Sequence, residues 1–95
     1  MNKKQAYEEK LKAQLDEWNA KIDVLRAKAE KAEAQAKVEY TETIAELQKK
    51  RAKAKDKLQE LKAAGDDAWG DLKGDIEQAW KSLGDAVESA VSRFQ

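Results

Sequence analysis

Between Asn2 and Ala64 the chain contains neither glycine nor proline, and an apolar or small residue returns every three or four positions. Such spacing keeps those side chains on one face of an α-helix and is incompatible with the two-residue alternation of a strand. The row runs Tyr7, Leu11, Leu15, Trp18, Ile22, Leu25, Ala29, Ala32, Ala36, Tyr40, Ile44, Leu47, then through Arg51 to Ala54, Leu58 and Leu61. After Gly65 it resumes at Ala68, Leu72, Ile76, Ala79, Leu83, Val87, Ala90 and Phe94. With Gly65 counted as a position of the row, the 87 residues from Tyr7 to Phe94 are crossed in 24 steps, a mean of 3.625. A strict heptad gives 3.5 and an eleven-residue repeat about 3.67, so the stripe follows a nearly straight helix. The intervening residues are mainly Ala, Glu, Lys, Gln and Arg, the strong helix formers. The fold class expected is all-α.

The last third repeats itself. AWGDLKGDIEQ is followed by AWKSLGDAVES and AVSRFQ, which aligns Ala68, Ala79 and Ala90, and likewise Leu72, Leu83 and Phe94, at a spacing of eleven.

Gly65, Asp66 and Asp67 mark the clearest turn, with glycine placed to end one helix and an aspartate placed to cap the next. The organisation expected is a single domain over 1–95. A first helix covers about 3–63, a turn about 64–67, and a second, antiparallel helix about 67–93. The first would be about 90 Å long and the second about 40 Å. In that hairpin the second helix covers only the far half of the first. The stripe Leu15–Trp18–Ile22–Leu25 is left bare and calls for a partner. The alternative is a three-helix bundle with a bend near 37–43, where the β-branched residues of KVEYTET lower helix propensity slightly.

Nineteen basic and nineteen acidic residues cancel, but unevenly: residues 1–64 hold 16 bases and 12 acids, and residues 65–95 hold 3 and 7. An antiparallel return brings the acidic segment beside the basic run Lys49, Lys50, Arg51, Lys53, Lys55 and Lys57. Glu8–Lys12, Glu17–Lys21, Glu33–Lys37 and Glu46–Lys50 have the spacing of helix-stabilising ion pairs.

Cysteine and histidine are absent, which removes disulfides, zinc sites of the usual kind and nucleophile–histidine pairs. Asp67, Asp71 and Asp75 share a helix face, but acids in a first turn are expected from the helix dipole and lack calcium-loop spacing. No cofactor, metal, catalytic residue or small-molecule substrate is expected, and no enzyme. The last alternative is weak nucleic-acid or adaptor binding through 49–57; nucleic acid would want aromatic residues interleaved for stacking, and that run has none. Trp18, Trp69 and Trp80 are expected in packing. The alternative is reversible association of the amphipathic segment 67–94 with a lipid surface, against which its acidic balance weighs. Arg51 interrupts the apolar row, a placement able to set register. The N-terminus has lysines without a following apolar stretch, and nowhere do more than two apolar residues adjoin. Neither a secretory leader nor a spanning helix is expected, and the cytoplasm is the expected location.

The segments AYEEKLKAQLDEWNAKIDVLRAKAEKAEAQAKVEY (6–40), IAELQKKR (44–51) and DDAWGDLKGDIEQAWKSLGDAVESAVSRF (66–94) resemble a family of small bacterial coiled-coil proteins. The family is known from cyanobacteria and proteobacteria and is linked to stress responses. The resemblance implies a coiled-coil protein without assigned activity. The expected core and interface residues are Leu11, Leu15, Trp18, Ile22, Leu25, Tyr40, Ile44, Leu47, Leu58, Leu61, Trp69, Leu72, Ile76, Trp80, Leu83, Val87 and Phe94. The expected function is self-association as a dimer or larger homo-oligomer, serving as a stress-related scaffold or protective factor.

Overall fold

A computed structural model of the chain describes residues 2–94; Met1 and Gln95, the ends of the expected domain, lie outside it. The described residues form three helices, α1 (Lys3–Lys31), α2 (Ala34–Ala63) and α3 (Trp69–Arg93). They run up, down and up in a bundle 51 Å long and about 20 Å across. Each helix packs on both others.

The all-α class is as expected, but the first helix does not run through to residue 63. It breaks at Ala32 and Glu33, whose backbones are extended (φ −76°, ψ 154° and φ −67°, ψ 159°). The bend is therefore not at 37–43. That segment is helical throughout, and Thr41 returns its hydroxyl to the Lys37 carbonyl at 2.8 Å, the usual compromise of a β-branched residue within a helix.

The cause of the break is tertiary. An unbroken helix would leave the α1 stripe in water, whereas folding back buries Leu11, Leu15, Ile22 and Leu25. Burying an aliphatic side chain of that size is worth about 1.5–3 kcal/mol. Four of them outweigh the few hydrogen bonds lost where a helix is interrupted, each worth about 1 kcal/mol net.

The second turn also differs in detail from its sequence signature. The backbone of Ala64 ends α2, and Ala68 takes the N-cap position of α3 without a side-chain cap. Asp66 and Asp67 do not cap the helix; the amides of Ala68 and Trp69 bond the Gly65 carbonyl instead. No described residue, glycine or other, has a positive φ, so neither turn uses the left-handed conformation. Only α1 begins on a side-chain cap, Asn2 Oδ1 accepting from the Gln5 amide at 2.8 Å.

The core is one continuous file of aliphatic side chains, Trp80 and small residues, with no polar or charged residue buried in it. Ile22, Leu25, Leu47, Leu61, Ile76, Leu83 and Val87 are fully enclosed. An aromatic contact closes each end. Tyr7 of α1 meets Trp69 of α3 at 5.8 Å between ring centres, and Tyr40 of α2 stacks on Phe94 at 4.0 Å. Beyond Tyr40, residues 33–39 are exposed, so the α1–α2 hairpin projects past the third helix.

Candidate functional site

The residues expected to form the core and interface are brought together, but inside one chain. Leu11, Leu15, Ile22, Leu25, Ile44, Leu47, Leu58, Leu61, Ile76, Trp80, Leu83 and Val87 are buried. Trp18, Tyr40, Trp69, Leu72 and Phe94 pack half-buried against them. The stripe Leu15–Trp18–Ile22–Leu25, expected to await a partner, is covered by α2 and α3. Large apolar side chains that remain exposed are Val24 and Val38, at 55% and 58%. Two such single residues make no apolar patch.

At the middle of the bundle, α1 and α3 approach through a pair the sequence pattern does not disclose. Gly84 is buried on α3, and a Cβ placed on it would stand 2.7 Å from Cζ2 of Trp18. The indole occupies the room that any other residue at 84 would take. One turn earlier on α3, Trp80 Nε1 donates to the Leu11 carbonyl at 3.2 Å, the buried cross-helix hydrogen bond among the described residues. Ala54, Ala79 and Ala90 are buried too. The sign that could have located Gly84 is its placement beside Leu83 on the apolar face, where a glycine leaves a notch for a large neighbour.

Arg51 is not in the core. It lies half-buried at the α1–α2 edge, its Nη1 3.4 Å from Asn19 Oδ1. Of the basic run, Lys50, Lys53 and Lys57 line an α2–α3 groove together with Asp75, Gln78 and Ser82. Lys50 Nζ reaches Ser82 Oγ at 2.8 Å rather than Glu46. The complementary charge of the two segments thus acts at a distance. The ion pair between helices among the described residues is Arg93–Glu39 at 3.6 Å, at the top of the bundle. Of the expected pairs within helices, Glu17–Lys21 closes at 3.5 Å, while Glu8 pairs with Lys4 at 3.8 Å.

Asp67 precedes α3, which separates it from Asp71 and Asp75 on the helix. Among the described residues no three His, Cys, Asp or Glu side chains are grouped to hold a metal. Also among them, no helix is long and apolar enough to cross a membrane.

The phenol of Tyr7 is shifted from its ordinary behaviour. Its hydroxyl is buried without a hydrogen-bond partner. Desolvation by burial, aided by the negative charge of Glu77, raises its pKa above 10.0. Lys73 Nζ stands 5.3 Å over the ring centre.

No family model, no curated protein and no solved structure matches the chain.

Proposed function

We propose that this is a non-enzymatic protein that acts by presenting and burying amphipathic helix faces, self-associating as a stress-related scaffold or protective factor. The observation that carries the reading is the distribution of its apolar surface. Its buried side chains form one thin core with no polar group in it, flanked by half-buried aromatics, and Val24 and Val38 are the large apolar side chains that stand exposed among the described residues. A chain of this length buries a modest fraction of its surface and is marginally stable alone, so association of its helices with others competes with the closed bundle. Sedimentation equilibrium across the micromolar range tests it. A mass that rises with concentration is expected, and a single species of monomer mass at every concentration would overturn it.

One observation favours a second reading, reversible lipid association through α3. That helix carries the broadest apolar face of the three, with Trp69 and Phe94 half-exposed at its two ends. Interfacial helices lie on a lipid surface by such a face, which here is buried in the closed bundle and becomes free only when α3 leaves it. Its acidic residues Asp71, Asp75, Glu77, Asp85 and Glu88 direct the test to zwitterionic vesicles. Co-flotation with them supports this reading, and none in any vesicle composition removes it.

A further inference from the structure

The break between α1 and α2 is made of residues that have no reason to break a helix. The segment Ala29–Lys37 reads AEKAEAQAK, with no glycine, proline or β-branched residue. Ala32 and Glu33 are extended, Glu33 provides no side-chain cap, and the Glu33 amide makes no backbone hydrogen bond. The first amides of α2 and the last carbonyls of α1 are therefore left to water, where a continuous helix would join them. The apolar row also passes through the break in phase, by steps of three and four from Ala29 to Ala32, Ala36 and Tyr40. A straightened chain would keep both halves of the stripe on one side. The break lies in the projecting tip, beyond the reach of α3, so straightening it disturbs no core residue locally.

We propose that the partner this chain takes is a second copy of itself, by exchange of α1. In the exchanged dimer α1 and α2 form one helix over residues 3–63, and each α1 docks on the α2–α3 pair of the other chain. The Trp18–Gly84 and Trp80–Leu11 contacts are then remade between chains. The antiparallel directions of α1 and α2 in the closed form are what allow it: the two long helices run past each other about a two-fold axis at the hinge. Ala36, exposed in the monomer, and Ala29 and Ala32 beside it then face their counterparts across that axis, where small side chains permit close approach. The exchange retains the core contacts, adds the hydrogen bonds of an uninterrupted helix, and depends on concentration only because two chains are needed.

The inference rests on the self-association proposed above, and the test separates the two. Asn19 and Arg51 touch across α1 and α2, and the natural chain has no cysteine, so N19C/R51C places the chain's two thiols at that contact. After refolding at high concentration, the dimer is isolated and treated with a short bis-maleimide. Exchange predicts links between chains, seen as a covalent dimer under denaturing conditions. Links confined within chains mean association without exchange and overturn the inference while leaving self-association standing. The absence of any dimer overturns both. E33P is the second variant. The closed hinge accepts proline, because Glu33 has φ −67°, a free amide and an extended residue before it. The continuous helix does not accept it. E33P is expected to retain the helical circular dichroism and to abolish the dimer; a dimer that survives in E33P overturns the exchange.

Discussion

Trp18 fills the notch that Gly84 leaves in α3, with Cζ2 of the indole 2.7 Å from where a Cβ on residue 84 would stand. The relationship joins the first and third helices, whose nearest ends, Lys31 and Trp69, are 38 residues apart in the chain, and it makes two opposed effects at one position measurable. An alanine in place of a helical glycine gains about 1 kcal/mol of propensity. Forcing a methyl group into a filled core costs about 1–3 kcal/mol. Gly84→Ala is expected to destabilise by up to about 2 kcal/mol in urea unfolding. With Trp18→Ala already present, the same change is expected to stabilise by about 1 kcal/mol. A Gly84→Ala effect of the same sign and size in both backgrounds would show that the two residues are not coupled.

Gly70 and Gly74 share a helix with Gly84 and have the opposite expectation. A Cβ at either meets nothing within 4 Å. Gly74→Ala, in the exposed interior of α3, is expected to add about 1 kcal/mol, and Gly70→Ala less, because it lies in the first turn. Unfolding midpoints that rise with an unchanged denaturant slope would establish it; a fall at position 74 would contradict the open surface described there.

Trp80→Phe keeps an aromatic ring in the core but removes the donor to the Leu11 carbonyl. The loss of one buried hydrogen bond and part of a ring predicts destabilisation of about 1–2 kcal/mol. Thermal unfolding measures it, and an unchanged midpoint would mean that the hydrogen bond contributes nothing net.

Tyr7 offers a substitution expected to be harmless or better. Its hydroxyl is buried without a partner, so Tyr7→Phe removes an unsatisfied group and is expected to leave stability unchanged or raise it by about 1 kcal/mol. The pH dependence has a definite sign. The folded pKa lies above the unfolded 10.0, so the folded chain holds the proton longer. Stability from this group is complete below pH 10 and is lost as pH rises from there through the folded pKa. The wild type is expected to lose stability more steeply than Tyr7→Phe above pH 10, and parallel curves would refute it.

The helical class and the residues that meet in the core were legible because each rests on a local quantity, the 3.6-residue return of apolar side chains. The place of the break was not. At Ala32–Glu33 every local preference favours continuing the helix, and the decision belongs to Leu11, Leu15, Ile22 and Leu25, which gain burial only when the chain doubles back. The reading at Asp66 and Asp67 failed for a related reason: both are good caps, but the Gly65 carbonyl holds the amides of Ala68 and Trp69 first. Gly84 was hidden because a glycine in an apolar row looks like a gap until the large residue facing it is known. Arg51 was correctly seen as an interruption, yet its length carries the charge to the edge, where Asn19 receives it.

The three tryptophans are unequally shared, one on α1, two on α3 and none on α2. Their fluorescence therefore watches the docking of α1. Its departure wets Trp18 and strips Trp80 of its hydrogen bond at once, whereas fraying of the first turn of α3 reaches Trp69 alone. The same arrangement makes emission blind to an exchange of α1 between chains, since every indole regains an identical neighbourhood. A bundle that looks unchanged in colour can still have doubled in mass.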